Sequence, residues 1–214
     1  MLSSARLKLY DLLRRIIPDI GRISFLRIAF LRWCGVEIGK NCSIDSNAII
    51  SGYGRLRIGD NVKIRGGAMI KPRGNTIQIG HNVLIAELTI IEAHGLGQGG
   101  VFIGDDVDLM MYSIISGNGN GKVTIGNNCK IAHCVSIKAT HHKIVPDAIC
   151  VGDAAEFDDI EICDGCWVCG GAMILPGVKV GAKNVIAAGA VVTKSTEDGV
   201  LMAGVPATVK KRYI

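Results

Sequence analysis

The sequence predicts an all-β chain: a left-handed parallel β-helix of about seven coils, with a helical cap at the N-terminus and a short C-terminal tail. Three observations carry this reading. Aliphatic residues recur at intervals of six, Gly is abundant at 28 of 214 residues, and aromatics are scarce at 5%. Many short strands joined by tight corners need that composition.

Seven triplets of Ile, Leu or Val at spacing six begin at Ile38, Ile58, Ile79, Ile103, Ile125, Ile162 and Val180. Gly follows the first aliphatic of each triplet, except that Cys163 stands after Ile162. Four residues after the first aliphatic comes a small inward residue: Cys42, Val62, Val83, Val107, Cys129, Cys166 or Asn184. Each hexapeptide makes one strand and one corner, and three make a triangular coil. Coils stacked at about 4.8 Å rise roughly 34 Å over seven turns. The inward aliphatics then form stacked ladders inside a closed parallel sheet.

An uninterrupted coil takes 18 residues, and successive coils here carry 2, 3, 6, 4, 19 and 0 extra. Spacing within each triplet is strict, so every insertion follows a third aliphatic. The insertions must stack along one corner, and loops aligned on one edge are where repeat proteins place function. The largest insertion follows Ile137 and makes a loop over 138–161 within a β-helix domain of 36–194.

Residues 1–35 lack the repeat. Leu7, Leu9, Leu12, Leu13, Ile16 and Ile17 interleave with Arg6, Lys8, Arg14 and Arg15, the pattern of a basic amphipathic helix that Pro18 and Gly21 end. Phe25, Ile28, Ala29 and Trp33 predict a second short helix over the open end of the prism. Residues 195–214 leave the coil as a tail.

Net charge is +5, concentrated near the N-terminus and at Lys210, Lys211 and Arg212. Basic ends do not make a nucleic-acid stripe, and they fit an anionic membrane surface or a phosphorylated ligand better. Arg22, Arg27 and Arg32 interrupt the one long apolar stretch near the start, and no run reaches the roughly 18 apolar residues of a membrane span. The eight cysteines therefore read as reduced thiols of a cytoplasmic protein, whose basic N-terminus can touch the inner face of a membrane. Cys163, Cys166 and Cys169 resemble a metal cluster in spacing. They fall on successive corners, with Cys166 inward above Cys129, and cannot converge on one tetrahedral ion. No metal is expected.

The segment from Ile160 to Lys194, IEICDGCWVCGGAMILPGVKVGAKNVIAAGAVVTK, followed by MAGVPATVKKR, resembles the hexapeptide-repeat acetyltransferases. That group includes maltose, galactoside and polysaccharide O-acetyltransferases. The resemblance implies a homotrimer with active sites between prisms, acetyl-CoA along the C-terminal coils, and a His general base. Counting from Ile137, the spacing of the group favours His142, while its Thr-His dipeptide favours His141. A neutral imidazole suits removal of a hydroxyl proton near pH 7.

The resemblance also places the oxyanion donor at the Gly170 N–H, one coil above the base. It assigns Trp167, Gly170, Ala188, Thr193, Lys194 and Lys211 to acetyl-CoA. It places Tyr112 where related enzymes carry an acceptor-binding Asn, and His133 can line the same groove. Thr208 stands where maltose and galactoside enzymes carry Arg, which removes one phosphate contact. The implied activity is acetyl transfer to a sugar hydroxyl, as in bacterial surface polysaccharide synthesis, through a ternary complex without an acyl-enzyme. The alternatives are an N-acetyltransferase of an amino sugar nucleotide and a non-catalytic β-helix scaffold.

Overall fold

A computed structural model describes residues 24–95, 97–142 and 155–213. The basic sequence of residues 1–23, the centre of the large insertion and Cys150 lie outside the described residues. The chain is a parallel β-helix with three faces. The first face stacks seven strands from Glu37–Ile38 to Lys179–Val180, and the third stacks seven from Ile49–Ile50 to Val191–Val192. The second runs from Ser43–Ile44 to Val185–Ile186, and the C-terminal strands then extend it. Register is one coil per rung: Ile58 pairs with Ile79, Leu109 with Ile131, Ile137 with Ile174.

The aliphatic triplets fill the interior. All are buried except half-buried Ile38. Cys129 and Cys166 share the inward second-face column with Val62, Val83 and Val107, and all five are buried. Each thiol donates to a carbonyl of the coil above, Cys129 to Cys163 at 3.3 Å and Cys166 to Gly181 at 3.1 Å. The hydrogen bond with Cys129, then burial, pushes the Cys166 thiol far above its usual range.

The corner between first and second faces carries a side-chain ladder. A side chain on each coil accepts the backbone N–H of the equivalent residue one coil below: Asp60 from Lys40, His81 Nδ1 from Asp60, Asp105 from His81, Asn127 from Asp105, and Asp164 from Asn127. These bonds satisfy corner amides that no strand partner reaches.

A helix over Ser24–Trp33 (α1) opens the described chain and lies across the open end of the prism. Its inner side is Arg27, Ile28 and Leu31, all buried. Phe25, Ala29 and Trp33, expected to pack inward with Ile28, instead face out. Arg27 takes the central place because its guanidinium donates to the carbonyls of Asp45 and Ala48 at the second corner.

The C-terminal segment is more than a tail. Ser195–Gly199 crosses the end of the first face, then Val200–Gly204 and Ala207–Arg212 form an antiparallel hairpin. Leu201 and Met202 pair with Val185 and Ile186, and Val200 and Met202 continue the core. Asn184, the one polar residue of the inward column, accepts the Val200 N–H at 2.7 Å and donates to Thr196 and Glu197. The hairpin escapes a six-residue count because it folds back on itself.

Two substitutions separate interior volume from thiol chemistry. Ile131→Ala should cost about 2–5 kcal/mol of unfolding free energy, because its site is closed on all sides. Cys166→Val, which restores the residue type found lower in the same column, should cost less than about 1.5 kcal/mol. Urea unfolding followed by circular dichroism measures both.

Candidate active site

The third corner, between the third face and the next coil, collects the insertions. Third-face strands there run past the prism, as in Met69–Arg73 and Ile90–His94. Asn75 is fully buried among these extensions. Its amide donates to the Gly119 carbonyl at 2.7 Å and its oxygen accepts the Gly97 N–H at 2.7 Å, so one side chain ties three successive coils together. No spacing in the sequence marked it.

The large insertion starts and ends as an antiparallel pair, Thr140–His142 with Ala155–Phe157. Phe157 lies on Gly119, where a Cβ would come within 2.2 Å of the ring. That contact anchors the insertion to the coil below.

His141 and His142 are adjacent on this strand, so their side chains project to opposite sides. Nε2 of His141 lies 3.0 Å from Glu156 and Nδ1 lies 4.0 Å from Asp158. A carboxylate only accepts, so in the contact with Glu156 the Nε2 is the donor. That Nδ1 is shielded from solvent and has no hydrogen-bond partner among the described residues. His142 is exposed. The two candidate bases thus differ in kind: one is braced by Glu156 with its Nδ1 shielded, the other open. Glu156 and Asp158 carried no signal in the sequence, because the insertion separates them from the His pair.

The remaining predicted residues gather elsewhere. Tyr112, His133, Gly170 and Ala188 occupy the second corner on four successive coils. Tyr112 is exposed and holds φ at 62°, a conformation costly for a bulky side chain. The same column holds Gly67, Gly171 and Gly189, and also Leu88 and Cys134, each with φ at 59°. His133 packs on Gly170, where a Cβ would sit 2.8 Å from Nε2. Trp167, on the second face beside this corner, is 54% exposed.

Gly170 therefore stacks directly on His133, whereas the resemblance implied a place one coil above the His pair. His141 and His142 leave the far end of the third face. Thr193 and Lys194 are exposed at the same third corner, past the last third-face strand. Lys211 is on the C-terminal hairpin, its ammonium 5.3 Å from the Tyr213 ring centre. One side of the prism takes six residues, at most about 20 Å of extended chain. The third face lies between the two corners, so the chain holds the predicted residues as two separate groups. Among the described residues, no three His, Cys, Asp or Glu are placed to hold a metal ion.

The comparisons with known proteins bear on this geometry. Residues 159–194 match the bacterial transferase hexapeptide (six repeats) family. Galactoside O-acetyltransferase of Escherichia coli (strain K12) is 38% identical over 87 residues, 41% of this chain and 42% of that protein. The chain thus aligns with less than half the length of that relative. A dTDP-4-amino-4,6-dideoxy-D-glucose acyltransferase of Escherichia coli is 31% identical over 160 residues, 70% of this chain and 78% of that one. Among solved structures, AntD, an N-acyltransferase from Bacillus cereus in complex with dTDP and 3-hydroxybutyryl-CoA, superposes with a TM-score of 0.60. It is 19% identical, covering 86% of this chain and 87% of that one, which shows a shared fold.

Asn75→Ala should remove the tie between the third-corner loops. The expected loss is about 1–3 kcal/mol, since buried backbone groups lose their partners. Amide hydrogen exchange should quicken around Gly97 and Gly119 and stay unchanged on the first face.

Proposed function

The chain belongs to the hexapeptide-repeat acyltransferases, and from that premise we propose that it transfers an acetyl group from acetyl-CoA to a sugar hydroxyl. The observation that carries this is the pair of half-sites: an exposed imidazole at the third corner, and Tyr112, His133, Gly170 and Trp167 at and beside the second. A homotrimer that sets the third corner of one protomer against the second corner of its neighbour joins the halves. The outward row of the third face supports that assembly, being apolar at Ile49, Met69, Ile90, Ile114, Met173 and Val191. Exposed Leu88, Met110 and Met111 continue it around the second corner.

In this reading His142 is the general base. Its exposed ring takes the hydroxyl proton as the oxygen attacks the thioester carbonyl, and the Gly170 N–H stabilises the oxyanion. Collapse of the tetrahedral intermediate breaks the carbon–sulfur bond, and the imidazolium returns the proton to the departing thiolate. His141 holds the strand through Glu156. Trp167 and Ala188 offer a surface for the pantetheine, with Thr193, Lys194 and Lys211 toward the phosphates.

A second reading is N-acylation of an amino sugar nucleotide, such as a step in making surface polysaccharide. It is favoured by the 78% coverage of the dTDP-amino-sugar acyltransferase. The basic C-terminal residues Lys210, Lys211 and Arg212 suit a diphosphate as well as CoA.

Turnover assays with hydroxyl sugars and with amino sugar nucleotides, each with acetyl-CoA, distinguish the two acceptors. His142→Ala should lower kcat by about 10²–10⁴ and leave CoA affinity nearly unchanged. His141→Ala should do much less. The reverse order would make His141 the base. A chain that neither turns over nor is thermally stabilised by CoA would be a scaffold.

A further inference from the structure

The first corner carries a groove apart from both half-sites. The outward row of the first face begins Glu37, Arg57, Gln78 and Phe102, one residue per coil. Two residues further along the chain, where strand alternation would bring the next outward side chain, stand Gly59, Gly80 and Gly104. A Cβ on Gly59 would sit 2.5 Å from backbone of the coil above, and one on Gly80 2.6 Å, so coil stacking itself keeps these positions bare. His81 and Asp105 of the corner ladder stand on the other side. The groove between row and ladder has a volume of about 380 Å³, within the range of about 300–1,000 Å³ usual for small-molecule sites.

Its side chains are held in place without being used up. Arg57 Nε meets Glu37 at 3.2 Å, and the two terminal nitrogens have no partner among the described residues. His81 Nδ1 accepts the Asp60 N–H at 3.0 Å, so Nε2 carries the ring proton and is a donor. Asp105 Oδ1 accepts the His81 N–H at 2.7 Å, which leaves Oδ2 as an acceptor. Exposed Gln78, between Arg57 and Phe102, supplies a donor and an acceptor together. Planar groups with donors and acceptors interleaved suit a ligand whose every group both donates and accepts, which is a polyhydroxyl compound. Glu37 and Asp105 outnumber Arg57, so the groove has one net negative charge and disfavours phosphates and acidic sugars.

We propose that this groove binds a neutral glycan chain at a place separate from acyl transfer. A chain fits better than a single sugar because the groove is open and draws on four successive coils. In a triangular coil the first corner is opposite the third face, so the groove faces outward in the proposed trimer and stays accessible. A chain held there raises the local concentration of its other sugars near the transfer sites. That consequence rests on the sugar-acceptor reading; the binding itself does not.

The test uses the full chain without CoA on an array of neutral and acidic bacterial glycans, with titration calorimetry on those that bind. At least one neutral glycan should bind, and no acidic glycan more tightly. Arg57→Ala with Gln78→Ala should raise Kd about tenfold or more through lost hydrogen bonds. The melting temperature should not change, because both side chains are exposed. His142→Ala should bind glycan like the unaltered chain, so failure of the acyl-transfer reading and failure of this one are told apart. Three outcomes would overturn the proposal. One is that no neutral glycan binds at millimolar concentration. Another is binding that the double variant does not weaken, which would put the site elsewhere. The third is tighter binding of acidic glycans, against the sign of the groove.

Discussion

Every face of every coil keeps an inward aliphatic at the same register position, and everything else follows from that constraint. A residue added within a triplet would turn the following aliphatics outward and break the parallel register above and below. Extra residues can leave only where the third strand ends, so five insertions of different length emerge at one corner. The loops there are free in length but not in place. Asn75, Gly119 and Phe157 then order them by contacts between coils.

This separation explains which parts of the molecule were legible in the sequence. The Ile ladder, the corner of the insertions and the inward column of Cys129 and Cys166 are local periodicities, and the coils repeat them faithfully. The ladder through Asp60, His81, Asp105, Asn127 and Asp164 was not legible, although its members sit at equivalent positions. Each bond joins residues 20 or more apart. Asp, His and Asn there look like ordinary solvated polar residues. α1 was found by its pattern, but its facing was not: an arginine buried against carbonyls displaced the aromatics expected there. The C-terminal hairpin was lost for the opposite reason, since Val200 and Met202 extend the core without keeping the spacing of six.

The candidate site shows the same division. Every candidate site residue singled out from the sequence lies among the described residues, yet counting along the chain cannot say which corner faces which. Gly170 stands one coil above His133, not above the His pair, because a stacked fold makes neighbours of equivalent positions. The braced state of His141 depends on Glu156 across the insertion, and only the folded strand pair reveals it.

A stack of parallel strands has two raw ends, and each exposes unpaired amides and carbonyls that another chain could extend. Here both ends are finished with side chains that imitate the missing coil. At the start, the Arg27 and Arg32 guanidinium groups take up carbonyls and Ser24 accepts the Ile44 N–H. At the finish, Ser195, Thr196 and Asp198 accept the N–H groups of Lys179, Gly181 and Ala182. The same geometry that lets coils add without limit in a fibre meets these bonds after seven coils. A handful of polar atoms, placed where the next coil would have begun, takes up the groups that a further strand would need.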